Sequence, residues 1–451
     1  MRYFLDPHGC AKNQVDAETM MAVLDRKGWT ATDDSAEAEL IIVNSCGFIE
    51  SAKKESIEAV LSFKAAYPDK KVLLAGCLAQ RYAEDLVGEL AEADVFFGNA
   101  DLSRIAEAAS LAMGGAHSAV VPEIDPSGRI DFASCTDDRP LLSLPGSAYV
   151  KITEGCDNCC TYCAIPLIRG GLRSRPVAQV VDECRGLLRR GVKELCLIGQ
   201  DLGSYGVDGA AGTNPAGNCL LPELLDALSA LEGQFWVRLL YIHPDNFPRR
   251  ILDNCARDPR ILPYFDLPFQ HASPRVLRAM NRRGDSASYL ALIADIRAAV
   301  PDATIRSTFL VGFPGETEED FRALLDFQAA ARLDWLGSFT YSREEGTAAY
   351  GMAGRVAKKV AAERKAAIEE LQTRISEERM DRFVGRKLRL LVEEKVEGED
   401  GLYLARAACQ APEVDGATVL SADTELVPGT FVTGLVFGRA GFDLDAAHRD
   451  E

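Results

Sequence analysis

The chain of 451 residues is expected to be a multidomain α/β protein: a parallel α/β sheet first, a partial six-unit β/α barrel in the middle and a small all-β barrel last. Three observations predict this. Near the start, three apolar runs separated by helical patterns each end shortly before a cysteine. Across the middle, six strand-like segments alternate with helical ones behind a loop that holds four cysteines in eight positions. Beyond residue 383 the apolar period shortens to two, with Gly and Pro between the segments.

The bulk properties set limits. A chain this long supports several domains, each with its own core, and 47% hydrophobic residues marks it as globular. No run of eighteen apolar residues occurs, and the start from Met1 to Pro7 lacks the apolar core of a signal peptide, so a cytoplasmic protein with no membrane partner is expected. In that compartment thirteen cysteines argue for metal ligation or reactive thiols over disulfides. The net charge of -18 disfavours binding dominated by nucleic-acid phosphates, which needs Lys and Arg, and favours a basic protein partner.

In the first domain, 1–138, the runs are Tyr3-Phe4-Leu5 before Cys10, Leu40-Ile41-Ile42-Val43 before Cys46, and Val72-Leu73-Leu74-Ala75 before Cys77. The intervening helices carry Met20, Val23 and Leu24 on one face, then Ile57, Val60 and Leu61. Strand and helix in alternation imply a parallel sheet with right-handed crossovers, so all three strands end on one edge, the edge where open α/β sheets bind ligands. One cysteine at a strand end is usually an inert core residue. Three at equivalent positions point to a cluster with one iron not held by protein. The connecting stretch from Val121 to Gly146 is rich in Pro, Ser and Asp. Residues 139–146 are taken as the linker, and Cys135 before them as incidental.

The loop that organises the chain runs Glu154-Gly155-Cys156-Asp157-Asn158-Cys159-Cys160-Thr161-Tyr162-Cys163. Thiolates this dense hold soft metal. A structural zinc site needs a fourth ligand close by, and the nearest downstream histidine is His243. A cluster with one open iron fits better, held by Cys156, Cys160 and Cys163 in C-x-x-x-C-x-x-C spacing with aromatic Tyr162, while Cys159 is a surplus loop thiol. This loop resembles the signature of the radical S-adenosylmethionine enzymes, in which three such cysteines bind a 4Fe-4S cluster whose fourth iron chelates S-adenosylmethionine. The segments Gly9-Cys10-Ala11-Lys12-Asn13, Asn44-Ser45-Cys46-Gly47-Phe48-Ile49 and Ala75-Gly76-Cys77-Leu78 are similar to the N-terminal domain of the methylthiotransferase branch. The resemblance implies an auxiliary 4Fe-4S cluster on Cys10, Cys46 and Cys77. Asp6-Pro7-His8 departs from the small or aliphatic residues usual there and leaves the surroundings of His8 open.

For the central domain, 147–382, strands are expected at Tyr149–Ile152, Glu194–Ile198, Phe235–Leu240, Tyr264–Leu267, Thr304–Val311 and Leu336–Thr340, with active groups at their carboxyl ends. The resemblance implies cofactor contacts from Tyr162, Gln200 and Asp201, Arg306, and the turn containing Gly312 and Gly315. Thr317 is suited to cap the following helix. His243 and His271 are read as structural, and Cys184, Cys196, Cys219 and Cys255 as buried thiols. A long helical pattern over 355–383 leads to the last domain, 383–451, which resembles the TRAM module, often an RNA binder. From Val384 onward seven Lys and Arg face thirteen Asp and Glu, the wrong sign for gripping phosphates.

The resemblance covers essentially the whole chain. It implies an enzyme that uses two S-adenosylmethionine molecules and two 4Fe-4S clusters to place a methylthio group on unactivated carbon, and it assigns no catalytic residue beyond the cluster ligands. Ile165-Pro166-Leu167-Ile168-Arg169-Gly170 and Ser174-Arg175-Pro176, with the Cys46 segment, favour the branch acting on the β-carbon of an aspartate in small-subunit ribosomal protein S-twelve. An acidic final barrel suits that basic partner. The same chemistry requires a low-potential electron donor such as a flavodoxin or ferredoxin. The alternatives are a tRNA adenosine (2-position) methylthiotransferase and a non-enzymatic iron–sulfur scaffold.

Overall fold

The computed structural model describes residues 1–124, 138–209 and 217–449; Cys135 lies outside them. Its contacts group the chain into two units, one of Met1–Leu142, Lys151–Pro176 and Ser342–Tyr350, the other of Ser143–Val150, Val177–Tyr341 and Gly351–Glu451. The two units interleave along the sequence. The cysteine loop goes with the N-terminal sheet because Lys151, Glu154 and Arg169 are bound there by buried charge, as described below.

In the first unit the chain runs β1 (Arg2–Pro7), α1 (Ala11–Arg26), β2 (Thr30–Ala31), β3 (Leu40–Ser45), α2 (Glu50–Ala66), β4 (Lys71–Gly76), α3 (Cys77–Glu89), β5 (Val95–Phe97), α4 (Ile105–Met113) and β6 (Ser118–Val120). The strands form one parallel sheet in the order β2-β1-β3-β4-β5-β6. Strands buried on both faces read as continuous apolar runs, which is why Leu40 to Val43 was legible. Leu40, Ile42 and Leu73 pack with Met20 and Leu24 on one face, while Ile41, Val43 and Leu74 pack with Val60 on the other. Leu61, expected on the inner face of its helix, is 40% exposed.

After β7 (Ser147–Lys151), the first strand of the second unit's sheet, come β8 (Thr153–Glu154), α5 (Ile165–Arg169) and β9 (Arg173–Ser174). Strands β8 and β9 pair antiparallel and clamp the two ends of the cysteine loop. The second unit continues with α6 (Val177–Arg189), β10 (Glu194–Ile198), α7 (Leu221–Ser229), β11 (Trp236–Leu239), α8 (Ile251–Arg257), β12 (Ile261–Asp266), α9 (Pro274–Ala279), α10 (Ser286–Ala299), β13 (Thr304–Val311), α11 (Glu318–Ala331), β14 (Trp335–Thr340) and α12 (Lys358–Met380). Its six strands lie in sequence order, β7-β10-β11-β12-β13-β14, as an unclosed sheet. Consecutive parallel βα units give the partial barrel the alternation predicts.

The chain ends in β15 (Lys387–Lys395), β16 (Leu402–Ala407), β17 (Thr418–Ala422), β18 (Phe431–Ala440) and β19 (Asp443–His448), a closed five-stranded barrel. The stretch from Arg406 to Asp415 is fastened to strands of the six-stranded sheet. Arg406 joins Arg238 on the buried carboxylate of Glu194, Trp335 Nε1 donates to the Cys409 carbonyl at 2.7 Å, and Tyr264 Oη donates to Asp415 at 2.6 Å. Among the described residues no helix is long and apolar enough to cross a membrane.

Candidate functional site

Strands β1, β3 and β4 are neighbours, so Cys10, Cys46 and Cys77 leave three adjacent strands at the same edge. The chain reverses direction across the sheet between β1 and β3, and this switch point is where a parallel α/β sheet leaves a crevice. The loops touch: a Cβ added to Gly9 would lie 3.1 Å from Cβ of Cys46, and one added to Gly47 would lie 2.5 Å from the Cys77 carbonyl oxygen. Asn13, on the first turn of α1, fastens all three. Its Nδ2 donates to the carbonyls of His8 at 2.7 Å and Ser45 at 2.9 Å, and its Oδ1 lies 3.4 Å from Sγ of Cys77.

Burial differs among the three thiols: Cys10 is exposed, Cys46 half-buried and Cys77 buried. Burial pushes the Cys46 thiol up and the Cys77 thiol up to about 12, with the Arg169 guanidinium pulling both back. The open question about His8 is answered locally. Its Nε2 binds Asp6 at 2.8 Å, and that hydrogen bond raises its pKa against the effect of burial.

The second cysteine set belongs to the same unit. Gly155 turns the chain into the loop at φ +73, and a Cβ there would lie 1.9 Å from the Gly171 carbonyl oxygen, so no other residue fits. Asp157 accepts from the Leu172 N–H at 3.0 Å, and the Cys163 N–H donates to the Cys160 carbonyl at 3.0 Å. Cys156, Cys160 and Cys163 are each half-buried, as is Tyr162, while Cys159 is exposed with φ +50. The geometry thus separates Cys159 from the other three.

Between the two cysteine sets lies a charge network that the motif reading missed. Arg169, at the end of α5, binds Glu154 and Asp16 at 2.8 Å each, and Lys151 binds the same two carboxylates at 2.5 and 2.6 Å. All four side chains are buried. Burial would push Glu154 up, but Arg169 and Lys151 together hold it well below the usual carboxylate range. The available signal was Lys151 and Glu154 inside an otherwise apolar strand end, each needing a partner once buried.

The remaining predicted residues lie in the second unit. Gln200 and Asp201 follow β10, and both oxygens of Asp201 accept hydrogen bonds, from Gly203 and Ser204 of the same loop and from His243 and Asn246 of the loop after β11. The turn after β13 is braced from within: the N–H groups of Gly312 and Phe313 donate to Glu316, whose other oxygen is 3.0 Å from Arg364. Its glycines meet other chain, since a Cβ on Gly312 would lie 2.6 Å from Cβ of Ala361 and the Gly315 N–H donates to the Gly354 carbonyl. Thr317 caps α11 with a reciprocal bond to Asp320. Arg306 is the third residue of β13 and its side chain turns to Asp266 at 3.1 Å and Asp415 at 3.4 Å. Through these two pairs Arg306 ties a loop of the final barrel to the sheet.

His243 and His271 each accept backbone hydrogen bonds through Nδ1. Nδ1 of His271 accepts from the Ala272 and Ser273 N–H groups, and burial pushes His243 down to about 3. Cys184, Cys196 and Cys255 are buried, whereas Cys219 is half-buried.

Residues 2–98 match the uncharacterized protein family UPF0004, residues 150–327 the radical SAM superfamily, and residues 384–448 the TRAM domain. A protein of Treponema denticola named ribosomal protein uS12 methylthiotransferase RimO is 47% identical across 98% of this chain and 99% of its own length. The chain belongs to the RimO family of radical S-adenosylmethionine methylthiotransferases. RimO proteins of Desulfosudis oleivorans, 41% identical over 98% of this chain and 99% of their own, and of Moorella thermoacetica, 42% identical over 92% of each, extend the similarity. Among solved structures, the radical S-adenosylmethionine methyltransferase TsrM of Kitasatospora setae, with cobalamin and a [4Fe-4S] cluster bound, shares the fold with a TM-score of 0.55 at 16% identity, covering 77% of this chain and 73% of that one.

The donor sets of this methylthiotransferase fit iron–sulfur chemistry. Among the described residues no group of three His, Cys, Asp or Glu could hold a single metal ion. A cubane does not require one, because each thiolate binds a different iron. N–H donors at the sulfur of Cys77, from Arg169 at 3.2 Å and Asn99 at 3.3 Å, complement a ligating thiolate.

Proposed function

We propose that the protein adds a methylthio group to the β-carbon of an aspartate in small-subunit ribosomal protein S-twelve, uS12, using two S-adenosylmethionine molecules and two 4Fe-4S clusters. The observation that carries the two-cluster reading is the placement of Cys10, Cys46 and Cys77 at one edge of three adjacent strands, in the same unit as Cys156, Cys160 and Cys163. The protein substrate rests on the near full-length similarity to proteins named for uS12.

When bound by Cys156, Cys160 and Cys163, the cluster supplies one electron that splits S-adenosylmethionine and generates a hydrogen-abstracting radical. The chain's own residues bind, orient and shield. Tyr162, Gln200 and the turn from Gly312 to Gly315 stand on the loop and at carboxyl ends of strands where such sheets take ligands, and Asp201 keeps the loop after β10 in shape. Residues 1–138 carry the auxiliary cluster, 147–382 the radical domain and 383–451 the TRAM-like barrel, joined by 139–146. The reaction runs in the cytoplasm with a flavodoxin- or ferredoxin-like donor.

One observation favours the tRNA adenosine reading instead. A groove of about 830 Å³ on the last barrel is lined by Lys387, Arg389 and Arg449 beside Phe431 and Leu435, a local basic and aromatic face on an acidic domain. Deleting the gene in its host, followed by mass spectrometry of small-subunit proteins and of tRNA nucleosides, decides the matter. Loss of the methylthio mass from uS12 alone is expected; loss from tRNA overturns the protein substrate, and no change in either overturns methylthio transfer to both.

A further inference from the structure

We propose that Arg169 is a positioning residue that couples the radical loop to the auxiliary cluster, by donating a hydrogen bond to the sulfur of Cys77 and so favouring the reduced form of that cluster. The inference rests on Cys77 being a cluster ligand, as argued above.

Arg169 stands six positions beyond Cys163, so the helix that closes the radical loop delivers a guanidinium to a ligand of the other site. It is 4% exposed. Nη2 lies 3.2 Å from Sγ of Cys77 and 2.8 Å from Oδ2 of Asp16, while Nη1 lies 2.8 Å from Oε1 of Glu154, two residues before Cys156. The guanidinium is therefore fastened at both ends: to the start of the radical loop through Glu154, and to the first helix of the sheet domain through Asp16.

A purely structural ion pair would not need the sulfur. Arg169 and Lys151 already balance Asp16 and Glu154, and a neutral thiol is a weak acceptor that gives little return for an oriented guanidinium donor. A metal-bound thiolate is a strong one. Hydrogen bonds and positive charge at a ligand sulfur draw electron density from the cluster and raise its reduction potential. Asn99 Nδ2, at 3.3 Å from the same sulfur, adds a neutral donor and singles Cys77 out as the ligand most supported by the protein.

The test is a redox titration followed by electron paramagnetic resonance on the reconstituted full chain. Carrying Cys156→Ala, Cys160→Ala and Cys163→Ala leaves only the auxiliary cluster; carrying Cys10→Ala, Cys46→Ala and Cys77→Ala leaves only the radical one. In the first background, Arg169→Gln is expected to lower the reduced-to-oxidised ratio at a fixed potential by about tenfold, about 59 mV for a one-electron couple. Asn99→Ala, which leaves the ion network intact, is expected to lower it by a smaller factor. If Arg169→Gln fails to fold, Arg169→Lys keeps the charge of the network while removing the forked donor, and a lowered ratio in it reads the loss of the hydrogen bond to Cys77. An auxiliary cluster that forms in every variant with an unchanged midpoint overturns the role of Arg169. Failure of the parent background to assemble any cluster overturns the ligand assignment itself. A shift of equal size in the radical-only background overturns the action through Cys77.

Discussion

The hydroxyl of Tyr264, on β12, donates to Oδ2 of Asp415 at 2.6 Å, joining the six-stranded sheet to a loop of the last barrel 151 residues away. Both side chains are buried, and Arg306 lies 3.4 Å from the other carboxylate oxygen. A closed barrel is held against an unclosed sheet here by a few polar contacts in a dry place, where each is sensitive to charge state.

Burial pushes the Asp415 carboxyl up to about 6, only partly opposed by Arg306, Tyr264 and Arg238. A carboxyl raised above its ordinary value binds protons more tightly in the folded chain, so its contribution falls as pH rises from about 4 through 6. A rise to about 6 corresponds to about 3 kcal/mol at most. Asp415→Asn is expected to flatten this dependence, read as thermal unfolding midpoints compared between pH 5 and pH 7.5. A parallel fall in both proteins would refute it.

Glu194 has the opposite sign. Burial would raise it, but Arg406 and Arg238 override that and hold it down at about 2. Its stabilising contribution is present above about pH 4.5 and is lost as pH falls toward 2. Removing one partner strands a buried charge, so Arg406→Ala is expected to cost about 3–5 kcal/mol, measured in denaturant as loss of the transition that includes the last barrel.

Gly155→Ala cannot be accommodated, because its Cβ would overlap the Gly171 carbonyl. The loop then fails to close. Iron content after reconstitution is expected to fall to that of Cys156→Ala, with the auxiliary set still loaded; full iron content would show that the loop yields.

The two cysteine sets are separable by product. Cys160→Ala is expected to abolish release of 5′-deoxyadenosine under reduction, whereas Cys10→Ala spares it and ends methylthio transfer. Chromatography of the small-molecule products together with peptide mass spectrometry reads both. Cofactor cleavage persisting in Cys160→Ala would displace that residue from the ligand set.

Much of the site was legible for local reasons. Buried parallel strands announce themselves as apolar runs, and β10 and β13 fall where the spacing puts them, at Glu194–Ile198 and Thr304–Val311. Strands β17 and β19 carry little apolar signal. In β19 only Leu444 and Ala446 are buried, alternating with Asp443 and Asp445, too weak an apolar signal to stand out from a polar tail.

The sequence by itself determined the cysteine spacing, the parallel order that sends Cys10, Cys46 and Cys77 to one edge, and the family, because these depend on residues near one another or on the handedness every βα unit shares. Only the tertiary structure decided the partners of buried charge. Arg306 on β13 pairs with Asp266 and with Asp415 of the last barrel, and Arg169, part of a loop motif, reaches Cys77, 92 residues earlier. A buried charge takes whichever opposite group the fold brings within about 3 Å, where the low dielectric makes the pairing decisive. That choice is made across elements distant in sequence.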